Sequence, residues 1–324
     1  MDRDWMFRIA LIAALSLGAA ACTAAEMPAA APWTRVAPMP TARSELAGVA
    51  LDGRVFAVGG IAQLGTSSAF EAYDPAADRW QELRPLPEDL HHLAAAAAGG
   101  ALYVTGGYTD VAFSGISDRV YAYDPDADRW RRIADLPAPR AAHAMAAIDG
   151  RLYLVGGVGP ECEALWIYDP ATDRWDVSKT PMPTRREHLA AVALDGKLYV
   201  GGGRWRDIGN LGTLEIYDPA TDRWVAGPDM PTPRSGLTAA AAGGGIHVTG
   251  GEDLSSSRTF DQHEVYDAAT QTWSTAAPLP TARHGVASAT DGERWYVIGG
   301  GTKAGALTFI SLTDVVEVFP IQSP

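Results

Sequence analysis

Trp205 stands between Arg204 and Arg206 in the stretch GRWRDIGN, and this triplet offers the most specific chemistry in the chain. An indole presents a flat apolar face and guanidinium groups present planar donors. Together they read as a stacking surface for a sugar ring or a peptide side chain. An indole folded over its own domain is the alternative, and the sequence leaves both open. Seven histidines are scattered along the chain, and only His91 and His92 adjoin. That pattern lacks metal-ligand spacing, so no metal is expected, although the sequence leaves open that three of them meet in the fold. Cys162 is a lone thiol in GPECEAL with no tyrosine or histidine pair around it. A nucleophile elbow, a phosphate loop and a dinucleotide fingerprint are all missing, and no cofactor is expected.

The frame that carries these residues is a repeat. IYDPATDRW ends at Trp175 and again at Trp224, and looser copies end at Trp80, Trp130 and Trp273. With Trp33, these tryptophans recur every 45 to 50 residues. Glycine pairs keep the same beat, at Gly59-Gly60, Gly106-Gly107, Gly156-Gly157, Gly202-Gly203, Gly250-Gly251 and Gly299-Gly300. Each unit reads as four short antiparallel strands. A small-residue run is followed by a hairpin turn such as Asp195-Gly196, then an apolar strand ending in glycines, a variable loop, a strand closed by YDP, and a strand bearing the tryptophan. Six such sheets, unable to bury both faces alone, would pack radially as a six-bladed all-β propeller. The alanine-rich first strands suit the crowded axis, and the tryptophans suit the wide rim. The region opens with WTRVAPMP, a fourth strand without its first three, and finishes with TDVVEVFP, a third strand without its fourth. Pairing of these two would close the last blade and remove the free edges.

The remaining residues bound the setting. Net charge is −13, which disfavours nucleic acid or an anionic membrane surface as a partner, and much of the acid belongs to turns. Residues 1–21 combine Arg3 and Arg8 with an apolar stretch over residues 9–21, and read as a cleaved export signal. Cys22 follows GAAA and resembles the lipid-accepting cysteine of bacterial lipoproteins, although Ala19 stands where leucine is preferred. Residues 22–32 then form an Ala/Pro-rich tether, residues 33–324 the propeller, and a periplasmic, outer-membrane or secreted monomer is the expectation.

The arginine after MPTA or MPTP, the DG-x-LY-V-GG core and YDP-x-x-x-x-W together resemble the kelch-repeat family, over essentially all of residues 33–320. That resemblance implies a propeller and leaves function open, because such propellers serve as protein-binding platforms, sugar-processing enzymes and copper oxidases. The surroundings of Cys162 do not suit the copper enzymes. Ligands of similar propellers meet the face carrying the fourth-to-first and second-to-third strand loops. Here that face would hold Arg43, Arg140, Arg186, Arg234 and Arg283, with Leu90 in the second unit. A ring of arginines suggests an anion, whereas a residue repeated in nearly every unit suggests a role in the fold, bonding the backbone of neighbouring loops. Selectivity is expected from the residue after each arginine, Ser44, His91, Ala141, Glu187, Ser235 and His284. The loops add Tyr108, Phe113, Arg204, Trp205, Arg206, Glu252, Asp253, Arg258 and Lys303. The implied function is an exported, non-catalytic module presenting these loops to a protein or carbohydrate. The alternative is a periplasmic sugar mutarotase resembling the sialic acid mutarotases, with Glu187 and His188 as acid and base and Arg186 and Arg206 as cations for a carboxylate.

Overall fold

The computed structural model describes residues 33–321, which form six four-stranded antiparallel blades around an axis. The export signal, Cys22 and the tether lie outside the described residues. In the fourth blade the order from axis to rim is Ala190–Leu194, Lys197–Gly201, Leu214–Asp218 and Arg223–Ala226. The innermost strands, from Ala47–Leu51 in the first blade to Ala287–Thr290 in the sixth, each pack against those of both neighbouring blades. Their small side chains permit that approach, leaving a narrow axial channel of about 180 Å³.

Turn chemistry follows the sequence closely. Asp195 and Gly196 both adopt positive φ (50° and 71°), as a tight hairpin between twisted strands requires. The sixth blade departs from this pattern. There the turn lengthens because the Asp291 carboxylate accepts the N–H groups of Glu293 and Arg294.

The nine-residue repeat ties blades together. Each rim tryptophan donates its indole N–H to a carbonyl beyond the rim strand of the preceding blade: Trp80 to Ala37, Trp130 to Arg84, Trp175 to Ala134, Trp224 to Thr180 and Trp273 to Pro228. The motif tyrosine and its second aspartate add another link. Tyr217 donates to Asp222, whose carboxylate also accepts the N–H of Thr180 in the blade before. A blade therefore recognises its neighbour through the residues that build its own turn.

Closure uses the same device. Thr34–Arg35 pairs with Val316–Pro320, placing Thr34 opposite Val318 as the rim strand of the sixth blade. Trp33 donates to the carbonyl of Ala277 (2.8 Å) and packs on Trp295 and Phe319. His263 donates to that same carbonyl through Nδ1 (3.1 Å), so its Nε2 accepts from His247 Nδ1 (2.9 Å).

This pair makes the seam acid-sensitive. Burial holds the imidazole of His263 down at about 3 and that of His247 at about 4. An unfolded histidine titrates near 6.5, so as pH falls below about 6.5 the unfolded chain takes up protons that the folded one refuses. Stability from these groups is complete above about 6.5 and drains away toward pH 3 to 4. Each contributes a slope of up to about 1.4 kcal/mol per pH unit. Melting curves between pH 7 and 4 should show a flatter decline for His263→Phe than for the wild type; equal slopes would remove the seam as the sensitive element.

Candidate ligand-binding site at the channel mouth

The five repeated arginines lie beneath the loop face and are fully buried. Arg186 Nη1 donates to the carbonyl of Thr213 (2.6 Å), while Nη2 reaches Glu215 Oε2 (2.6 Å), itself on the third strand of that blade. Arg43, Arg234 and Arg283 pair likewise with Glu71, Glu264 and Glu317. In the third blade the partner position is Trp166, and Arg140 stacks on it at 3.7 Å. In the second blade Leu90 replaces the arginine and Tyr121 the glutamate. These pairs pin each loop to its own blade. Arg186, expected at the binding face, is thus committed to the frame.

The residue after each arginine bridges the residue after a glycine pair: Ser44 with Ile61, His91 with Tyr108, Glu187 with Arg204, Ser235 with Glu252 and His284 with Gly301. One residue further on the chain turns left-handed. Glu45, His92, Ala142, His188, Gly236 and Gly285 have φ between 52° and 63°. Their backbones close a ring around the axis. His92 N donates to Glu45 O, Ala142 to His92, His188 to Ala142, Gly236 to His188, Gly285 to Gly236 and Glu45 to Gly285, all at 2.7–3.0 Å. The side chains of this ring, Glu45, His92 and His188 above all, face the mouth of the channel.

Above the ring lies a pocket of about 580 Å³, within the usual range for a small ligand. Tyr108, Phe113, Trp205, Leu254 and Phe309 wall it, and Glu45, His92, Glu187, His188, Arg204, Glu252 and His284 contribute its polar surface. Trp205 is half-buried on the wall, in the short strand Arg204–Trp205, and the exposed Arg206 packs over its ring at 5.1 Å. Of the expected site residues, the structure gathers Tyr108, Phe113, Glu187, His188, Arg204, Trp205, Arg206, Glu252 and His284 around this pocket. Ser44, His91 and Ser235 are fully buried beside it and do not line it.

A family model described as the KLHDC2/KLHL20/DRC7 Kelch-repeats domain matches residues 84–226 and 143–318, and one described as the Kelch motif matches residues 42–87. The chain belongs to the kelch-repeat family. No curated protein matches it.

In this kelch propeller the mouth is a dense charge network. Arg204 reaches Glu187 through Nε (2.6 Å) and Glu252 through Nη1 (2.5 Å). Its Nη2 lies 3.4 and 3.3 Å from the two ring nitrogens of His188, near-equal distances that place it over the ring face. Burial pushes the Glu187 carboxyl up, but His188 and Arg204 outweigh that and hold it at about 2. Burial likewise works to raise Glu252, and His284 and Arg204 reverse the direction. Burial, followed by the charges of His188 and His91, drives His92 well below the ordinary histidine value.

Glu45, His92 and Glu252 carry much of this site, and Glu45 escaped the sequence reading altogether. The available signal was register: Gly236 and Gly285 occupy the position of Glu45 in two of six units, as a conformation with positive φ favours. The histidines, scattered in sequence, are also brought together here, since His91, His92, His188 and His284 come from three different units.

Proposed function

We propose that this kelch propeller is an exported, non-catalytic binding module whose loop face docks on a partner protein, with a protruding side chain entering the mouth. One observation carries the reading. Among the described residues, seven of the nine large apolar side chains that stand exposed lie in loops that follow a glycine pair: Leu64, Val111, Phe113, Ile208, Leu254, Leu307 and Ile310. Exposed apolar area concentrated on one face marks an interaction surface. A carbohydrate ring stacked on Trp205 would use the same pocket. The mutarotase alternative draws on the Glu187–His188 couple, yet needs a free cation for a carboxylate. Arg204 already serves two carboxylates and Arg186 is buried in its pair with Glu215, which leaves Arg206.

Peptide and glycan arrays separate these readings. Trp205→Ala with Arg206→Ala should weaken capture by about 2 kcal/mol or more, as for a small aromatic and arginine hot spot, with an unchanged melting temperature. Equal affinity in that double variant would move the site elsewhere, and turnover of a bound sugar would favour the isomerase.

Export rests on residues 1–21 and lipid anchoring on Cys22. Cell fractionation should place the mature chain outside the cytoplasm, with Cys22→Ser shifting it from the detergent phase to the aqueous one. Unchanged partitioning would remove the anchor, and a cytoplasmic chain beginning at Met1 would remove export.

A further inference from the structure

The orientation of three side chains on the hydrogen-bonded ring goes beyond what docking requires. Glu45, His92 and His188 each offer a donor atom, and the three lie within 4.8 Å of one another. Glu45 Oε2 is 3.4 Å from His92 Nε2 and 3.9 Å from His188 Nε2. Ligands of a tetrahedral ion bound at about 2.0–2.1 Å stand about 3.3–3.5 Å apart, so the Glu45–His188 edge needs to close by a few tenths of an ångström and the edge between the two imidazoles, within 4.8 Å, by up to about 1.4 Å.

The tautomers follow from the outer contacts. His91 Nε2 donates to the carbonyl of Asp110 (2.9 Å), leaving its Nδ1 to accept from His92 Nδ1 (2.5 Å). His92 Nε2 is then a bare lone pair directed at Glu45. His188 Nδ1 donates to the Glu187 carboxylate, so its Nε2, facing Glu45, is the atom left to hold either a proton or a metal ion. The carboxylate behind His188 is a usual second layer around a bound metal, and the His91 imidazole takes that place behind His92. A fourth group repeats the pattern. His284 Nε2 donates to the carbonyl of Lys303 (3.0 Å), and its Nδ1, buried without a hydrogen-bond partner, faces Glu45 Oε1 at 3.5 Å and Glu252 Oε2 at 3.2 Å. Three ring nitrogens and the carboxylates of Glu45 and Glu252 thus converge at the mouth, an arrangement that protons or a metal ion would fill.

We propose that Glu45, His92 and His188 bind a first-row divalent transition ion at the channel mouth, with His284 beside it and an open coordination position facing the pocket. Two imidazoles and one carboxylate are a donor set such ions favour. Arg204 is the opposing charge, but Glu187 and Glu252 flank it, and with Glu45 the carboxylates exceed the guanidinium by two. The three ligands sit on backbone fixed by the closed ring, which limits the reorganisation binding requires. The site stands whatever partner fills the pocket above it.

The test uses the full chain, freed of metal by chelation and titrated with Zn2+ and then Co2+ alone. One equivalent should bind, Co2+ should give the intense visible bands of a low-coordinate site, and X-ray absorption of the zinc form should show two imidazoles and a carboxylate. Glu45→Gln and His92→Gln should each weaken Zn2+ at least tenfold, with far-UV circular dichroism in chelator reporting the fold. The wild-type absorption spectrum stands independently of any variant that misfolds. A wild-type chain that stays metal-free would mean that protons alone fill the gap and would overturn the proposal. So would a zinc shell without two imidazoles, or undiminished binding in folded variants.

Discussion

Deleting residues 33–40 opens the ring and lowers stability by on the order of 5 kcal/mol or more. The segment supplies the rim strand paired with Val316–Pro320, the Trp33 latch on Ala277, and Met39, which is buried among the side chains of the first and sixth blades. Truncating one large buried side chain alone costs about 3–5 kcal/mol, against a total stability of about 5–15 kcal/mol for an ordinary domain. Loss of the strand also leaves Val316–Pro320 as an unpaired edge, which favours association between chains. Thermal melting and size-exclusion chromatography read both effects. A truncated protein that melts like the wild type and elutes unchanged would show that closure is not what holds the sixth blade.

The second large effect lies under the mouth. Arg186→Met should destabilise by about 3–5 kcal/mol, because it strands Glu215, 4% exposed, with Oε2 unpaired. Removing both charges should be milder. The chain contains its own precedent in the second blade, where Leu90 and Tyr121 occupy the two positions. Arg186→Leu with Glu215→Tyr is therefore expected to recover part of the loss, the remainder reflecting the Thr213 carbonyl left without its donor. Urea unfolding of the single and double variants measures the coupling. Additive losses would mean the pair acts as two independent groups.

The propeller was legible because the residues that set it are the ones that repeat. Tyr217, Asp222 and Trp224 act within one turn of chain and on the adjacent blade, so each copy carries the instruction for its neighbour. The site was legible only in part. Trp205 and Arg206 stood out by composition and do line the pocket. Arg186 misled because a buried guanidinium and a ligand-binding one look alike in sequence, and only the glutamate two positions before the motif tyrosine, Glu215 before Tyr217, distinguishes them. Ser44 and His91 missed by a single residue, since Glu45 and His92 line the pocket, and Ser235 is buried beside it. At Glu45 and His92 the left-handed residue itself faces the mouth and the residue before it is covered, whereas Glu187 and His284, which precede the same turn in other blades, still reach the pocket.

The closed ring of six backbone links has a further effect on the field at the mouth. In a helix the peptide dipoles add along one direction and leave a partial charge at each end. Here they run head to tail around a circuit, so their in-plane components cancel, and each N–H of the ring is spent on the carbonyl of its neighbour. No anion hole of backbone N–H groups forms there, unlike at a helix start. The sign of the potential is left to side chains, with Glu45, Glu187 and Glu252 set against Arg204. Polarity at this end of the propeller is therefore separable from its architecture. Exchanging one or two of these side chains can reverse what the mouth attracts while the circuit beneath keeps its shape.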